Sequence, residues 1–256
     1  MKKIFTSLLV AVFMFMMSFG GVYALTYDES FAAAKDYYAK KTVLQGADEV
    51  IAYEALGLES DSLSMEYVVD TQYASSIAKT VIALVLHGDD PRNYEGVNYV
   101  EMLENCVQDN GAFDKTNSTT YANYQVYGVY ALYAVHSSQA ELAADYLVSL
   151  ADSNHAWGYG TDSSCDLTGW VIEALSLVNK TKYLSTIENA IAYIQSKQEE
   201  SGGYNDAIDS YYTANANTQA CVLMGLLTYD AEGVRSNKYN KGLNNPYDFL
   251  LTYQNN

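Results

Sequence analysis

Proline is scarce: Pro91 and Pro246 are the only two in 256 residues. Few points therefore force a break in a helix. Histidine is nearly as rare. His87, His136 and His155 stand far apart, and none begins a His-x-x-x-His zinc spacing. The three cysteines, Cys106, Cys165 and Cys221, are odd in number and widely spaced, so they do not form a disulfide framework. They read as buried helix positions, where cysteine behaves as a small hydrophobe. One disulfide plus one unbridged thiol is the other arrangement open to an exported chain. Basic residues are few, 14 Lys and Arg against 31 Asp and Glu, for a net charge of −17. Such a surface repels nucleic acid and anionic headgroups, and neither is an expected partner. No Gly-x-Ser-x-Gly occurs, which removes the nucleophile elbow of serine hydrolases.

A long apolar run occurs once, from Ile4 to Met17 behind Lys2 and Lys3. It is shorter than the roughly 20 residues a membrane span needs. Val22-Tyr23-Ala24 follows as a small-residue cleavage site. Residues 1–24 are therefore expected to be a signal peptide, and 25–256 one exported domain. The membrane is expected to matter only through that segment. Four of the seven phenylalanines leave with it, so tyrosine, 25 residues in all, carries most aromatic contacts.

What is abundant is repetition. Three glycine-aromatic turns recur: Asn110-Gly111-Ala112-Phe113, Ala156-Trp157-Gly158-Tyr159-Gly160 and Gly202-Gly203-Tyr204. Gly111 to Gly158 spans 47 residues and Gly158 to Gly203 spans 45. That period suits two helices with their loops. An amphipathic helix precedes each turn. The clearest has Leu184, Ile187, Ile191 and Ile194 on one face, with Ser185 and Glu188 resembling a capping box. A helix apolar nearly all round follows each turn, and such helices must be buried on both sides.

The sequence predicts inner helices over 50–58, 77–86, 124–135, 167–178 and 220–227. Outer helices are expected over 30–40, 96–108, 138–151, 184–198 and 246–254. Two concentric layers satisfy the alternation, and an open solenoid is the competing architecture.

At Gly158-Tyr159-Gly160, Asp166-Leu167-Thr168-Gly169-Trp170 and Ala174-Leu175 the chain resembles the terpenoid cyclase and protein prenyltransferase superfamily. Ile77-Ala78-Lys79-Thr80 to His87-Gly88-Asp89-Asp90-Pro91-Arg92-Asn93-Tyr94 resembles its bacterial secreted branch, which is similar to cobalamin-carrier toroids. The resemblance implies an all-α, α/α-toroid fold: a double ring of helix pairs. Toroids of this superfamily close with six pairs. About five are visible, and the sequence stops where another turn is due, so the ring is expected to be incomplete and truncated at its C-terminus.

The resemblance implies two chemistries. Cyclases that protonate an alkene use Asp-x-Asp-Asp, where neighbouring acids help one carboxyl keep its proton. The nearest match is Asp162-Ser163-Ser164-Cys165-Asp166, with no adjacent pair. Acids favoured near a helix N-terminus explain it as well. Prenyltransferases hold zinc with Asp, Cys and His, and Cys165 lies near Asp162 and Asp166 without a histidine in range. A glycosidase or lyase would need two carboxylates across a cleft, and no motif marks them. No catalytic residue is assigned, with Asp162, Cys165 and Asp166 as the candidates, and no metal or cofactor is expected.

The expected function is a secreted, non-catalytic module that binds a small ligand, such as a cobalamin-like molecule, or a cell-surface partner. A cyclase or prenyltransferase-like enzyme acting on a polyprenyl substrate is the alternative. Tyr121, Tyr124, Trp157, Tyr159, Trp170 and Tyr204 mark the end of the ring where a ligand is expected, although each could instead pack its own turn.

Overall fold

The computed structural model describes residues 26–58, 63–67, 69–113, 121–159, 162–205 and 214–253. The expected signal peptide and Gly160 lie outside them. Ten helices occur among the described residues: α1 (Tyr27–Tyr38), α2 (Gly46–Ala55), α3 (Ala74–His87), α4 (Tyr99–Glu104), α5 (Ala122–Ala134), α6 (Ala140–Ser149), α7 (Cys165–Asn179), α8 (Leu184–Ser196), α9 (Ala216–Arg235) and α10 (Pro246–Leu251). No helix among those residues is long and apolar enough to cross a membrane.

The inner helices are α2, α3, α5, α7 and α9. Each packs beside the next, and α4, α6, α8 and α10 cover them from outside. α5 buries Val126, Val129, Tyr130 and Leu132 on several faces, whereas α8 buries only Ile187, Ala190, Ile191 and Ile194. The apolar patterning therefore sorts helices into two layers. Tyr27 of α1 also packs against Tyr247 of α10, with ring centroids 5.8 Å apart. The chain is an all-α toroid.

Side-chain caps fix several helix starts. Thr26 and Glu29 form a capping box on α1, Asn98 caps α4, Asn215 caps α9, and Asn245 precedes Pro246 at the start of α10. The capping box expected of Ser185 and Glu188 does not form. α8 starts two residues too early for it, with Tyr183 and not Ser185 at the N-cap, and Glu188 instead accepts from the Tyr229 hydroxyl at 3.4 Å. α9 kinks at Asp230, where Asp230 Oδ1 accepts the Gly233 N–H at 2.9 Å and so restarts the helix.

Four short strands were not expected. β1 (Val43–Gln45) pairs in parallel with β2 (Ser64–Glu66), and β3 (Trp157–Tyr159) pairs antiparallel with β4 (Asp162–Ser164). The second pair is one of the glycine-aromatic turns. Each of the three turns is locked by the fourth residue of the inner helix that follows. Gln125 Nε2 donates to the Gly111 carbonyl at 2.8 Å and to Ala143 at 2.9 Å. Thr168 Oγ1 accepts the Trp157 N–H at 3.1 Å. Gln219 accepts the Tyr204 N–H and donates to its carbonyl, both at 2.8 Å. The turn aromatics Phe113, Trp157 and Tyr204 are thereby driven into the layer between helices, and all are buried.

Replacing Gln219 with Leu orphans both backbone groups of Tyr204, each worth about 1–3 kcal/mol when buried and unmet. We expect the Tyr204 amide to lose hydrogen-exchange protection far more than amides of α3. Equal losses at both places would show that the lock is not local.

All three cysteines are buried and none is in a disulfide. The arrangement with one bridge is therefore not the one adopted, and the thiols fill buried helix positions.

Candidate functional site

A cavity of about 580 Å³ opens among the N-terminal ends of the inner helices, within the range of about 300–1,000 Å³ common for small-molecule sites. α2 supplies Gly46, Ala47 and Asp48. Tyr73 and the first turns of α3 supply Ser75, Ser76, Lys79 and Thr80. α5 supplies Asn123, Tyr124 and Tyr127, β3 supplies Tyr159, and α7 supplies Trp170. Helices that start side by side leave their first turns around one concave end, and β3 packs against α5 and α7 there, bringing Tyr159 to the rim.

Lys79, the one cation among the described lining residues, is matched. Lys79 Nζ lies 3.1 Å from Asp48 Oδ2 and 4.7 Å above the Tyr127 ring. Trp170 meets Tyr127 edge to face, with centroids 5.4 Å apart. Burial, reinforced by the Asp48 charge, holds the Tyr127 phenol well above its ordinary pKa, so it remains a hydrogen-bond donor. Two lining side chains carry an unmet polar atom. Trp170 Nε1 and Asn123 Oδ1 are shielded from solvent and have no hydrogen-bond partner among the described residues. Each such group costs roughly 1–3 kcal/mol if left unmet.

Of the residues the sequence singled out for a ligand, Tyr124, Tyr159 and Trp170 come together at this cavity. Tyr121 stands just before α5 and packs on Tyr124, 6.2 Å between centroids, without lining the cavity. Trp157 and Tyr204 lie in the core instead. Trp157 Nε1 donates to the Leu147 carbonyl at 2.7 Å, and burial raises the Tyr204 phenol pKa. These two rings plug the gap behind the turn.

The acid candidates do not converge. Asp162 is exposed in β4. Asp166 sits in the first turn of α7, where Oδ1 accepts the Leu167 N–H at 2.6 Å and the Ser164 hydroxyl, and Oδ2 accepts from Asn217 at 3.1 Å. Both oxygens serve the helix start and its neighbour. Cys165 is fully buried. Among the described residues no group of three His, Cys, Asp or Glu side chains is placed to hold a metal.

One carboxyl that the sequence reading passed over is unusual. Glu173 in the middle of α7 has no solvent exposure. The Tyr130 hydroxyl lies 2.6 Å from Glu173 Oε2 and 2.9 Å from the Trp170 carbonyl. A phenol has one proton, so both contacts are hydrogen bonds only if the Glu173 carboxyl brings its own. Burial pushes its pKa up to about 8, against partial opposition from the Tyr130 and Thr228 hydrogen bonds. It is mostly neutral at pH 7. Lys79 and Glu173 were both visible in the sequence as single charges inside apolar helices, and that was the signal available.

No family model matches the chain, and no curated protein matches it. Among solved structures, ent-copalyl diphosphate synthase from Streptomyces platensis aligns with 89% of this chain and 50% of its own, at 14% identity and a TM-score of 0.57. The chain thus spans half the length of that protein. Identity this low carries the fold and no activity. The chain has the helical toroid fold of the terpenoid cyclases.

Proposed function

We propose that this chain is a non-catalytic binding module, exported through its N-terminal segment and working outside the cell or at its surface. It holds a small ligand in the cavity ringed by Tyr124, Tyr159 and Trp170. The observation that carries this reading is the contrast between that cavity and the acids. The cavity gathers aromatic rings, hydroxyls and an internally matched ion pair, while Asp166 is fully engaged in capping and Asp162 faces solvent. The resemblance to cobalamin carriers makes a corrinoid one candidate ligand.

Incubation of the purified protein with geranylgeranyl diphosphate should yield no cyclised or transferred product. Turnover that disappears in the Asp162→Asn, Asp166→Asn double variant would overturn the reading. A second reading, a cyclase or prenyltransferase-like enzyme acting on a polyprenyl substrate, has one observation in its favour: Glu173 is a buried carboxylic acid that keeps its proton. It requires product formation that Glu173→Gln removes.

A further inference from the structure

We propose that Glu173, the Tyr130 hydroxyl and the Trp170 carbonyl form a proton-operated switch in the wall of the cavity. With Glu173 protonated, Tyr130 ties α5 to the α7 backbone at Trp170. With Glu173 ionised, the same hydroxyl turns to the carboxylate and that tie is released. The switch belongs to the wall and not to the occupant, so it stands apart from the binding reading above.

The geometry is short of one proton. The Tyr130 hydroxyl has two acceptors in reach, Glu173 Oε2 at 2.6 Å and the Trp170 carbonyl at 2.9 Å, and a single proton to give. Both contacts hold only while Glu173 Oε2 donates to the phenol oxygen. The bonds then run one way: Thr228 Oγ1 to Glu173 Oε1 at 3.5 Å, Glu173 Oε2 to Tyr130, and Tyr130 to the Trp170 carbonyl. One carboxyl group thus joins α9, α7 and α5. Once its proton leaves for solvent, the phenol proton is drawn to the charge, because a bond to a carboxylate is the stronger of the two on offer. The Trp170 carbonyl loses its Tyr130 partner.

No neighbouring charge substitutes for the proton. Burial is what raises the Glu173 pKa, to about 8, opposed only by the Tyr130 and Thr228 hydrogen bonds. From α5 come Tyr130 and Tyr127, phenols that burial keeps neutral. α9 brings Thr228 and the buried Cys221, while its Asp230 is engaged by Lys238 and Tyr239. The α6 acids Glu141 and Asp145 are exposed and paired with Lys182, and Glu188 of α8 and Asp162 of β4 are exposed.

Helical spacing carries the switch to the cavity. Tyr127 and Tyr130 lie three residues apart on α5, and Trp170 and Glu173 three apart on α7, so each pair shares a face. The two faces meet twice. Ring meets ring at the cavity, with centroids 5.4 Å apart, and hydroxyl meets carboxyl in the core. Moving the inner contact shifts the outer one.

The test uses the full chain after removal of residues 1–24, isotope-labelled at the tryptophan carbonyl carbons and the valine nitrogens. Trp170-Val171 is the one Trp-Val pair in the sequence, so a carbon-detected carbonyl–nitrogen NMR spectrum holds a single signal, from the Trp170 carbonyl. A second sample, labelled at the glutamate carboxyl carbons, reports ionisation. Between about pH 5 and about pH 10, one glutamate should titrate with a midpoint near 8. The Trp170 carbonyl and indole N–H signals should move with the same midpoint. The indole of Trp157, bonded to the Leu147 carbonyl, should stay still, and Trp170→Phe assigns the two indoles. Glu173→Gln, whose amide goes on donating to Tyr130, should abolish the titration and hold the carbonyl signal at its acid position. Tyr130→Phe should hold it near its alkaline position throughout.

If no glutamate titrates above the ordinary carboxylate range, Glu173 is ionised in the fold and there is no switch. A Trp170 carbonyl that stays still while Glu173 titrates, or that still moves in Glu173→Gln, overturns the proposal. So does a carbonyl that moves while the Trp170 indole does not, because the wall then fails to follow. The wild-type titrations need no variant, so a misfolded substitution cannot blur the result.

Discussion

Glu173→Gln should leave stability almost unchanged at pH 4 and raise it by several kcal/mol at pH 8. The sign follows from the direction of the shift. In the folded chain the Glu173 pKa is raised to about 8, from an ordinary value of 4.5. Below pH 4.5 the carboxyl is protonated in both states and contributes no pH dependence. Between 4.5 and 8 the unfolded chain releases the proton while the folded chain holds it, so stability falls as pH rises. The fall is about 1.4 kcal/mol per pH unit, and it levels off above pH 8.

Glutamine has the same shape and no proton to lose, and its amide can keep the Tyr130 hydroxyl company. Urea unfolding of both proteins at pH 4, 6 and 8 measures the difference. Parallel stability curves would mean that Glu173 is ionised in the fold. Carboxylates with lowered pKa act in another window. Asp230, held down to about 2 chiefly by Lys238 and the Gly233 N–H, contributes stability above its ordinary 3.8 that is lost as pH falls through 2. Both proteins share that term, so it cancels in the comparison.

Gly169→Ala should destabilise the fold strongly, because it places a methyl group where α7 meets α9. A Cβ at Gly169 would sit 2.5 Å from the Cys221 carbonyl oxygen and 2.8 Å from Val222 Cα. A Cβ at Gly225 would sit 2.4 Å from the Gly169 carbonyl oxygen. α7 and α9 therefore cross backbone to backbone, and neither neighbour is a flexible side-chain tip that could swing away. Forcing them apart strains a packed core by about 1–3 kcal/mol, more if the whole α7–α9 contact opens.

Gly57→Ala is the control. It has nothing within 4 Å, and its φ of +62° makes backbone strain the main penalty, about 1 kcal/mol. The measurement is the midpoint of thermal unfolding for both variants. A loss at Gly169 no larger than at Gly57 would refute the close crossing.

The layering of the fold was legible because it is written in periodicity. α8 repeats its apolar residues on one face and α5 shows almost no polar face, and those two patterns have different homes in a double ring. What the sequence hid was which aromatics look inward. Trp157 and Trp170 belong to one repeat and are chemically identical, yet the first ends in the core and the second at the cavity. The difference is set by the β3–β4 turn and by Thr168 locking it, which is a tertiary fact.

The same holds for Asp166. Its spacing from Asp162 hinted at chemistry, but position in the first turn of α7 gives its oxygens to Leu167, Ser164 and Asn217. Lys79 and Glu173 were in plain view. A lone charge inside an apolar helix has to be matched or neutralised, and the structure shows one solution of each kind.

The meeting of Tyr27 and Tyr247 bears on the order of assembly. From α3 onward each inner helix reaches the next across a single outer helix and its loops, so most of the ring forms through contacts between neighbouring repeats, which form faster than contacts between the chain ends. The two tyrosines are separated by 220 residues. Their meeting requires the intervening pairs to be curved into place first, since only then does the closing distance shrink. The contact between α1 and α10 is therefore expected to fasten last on folding and release first on unfolding, with amides of α1 and α10 exchanging before those of α5 and α7 in a hydrogen-exchange experiment.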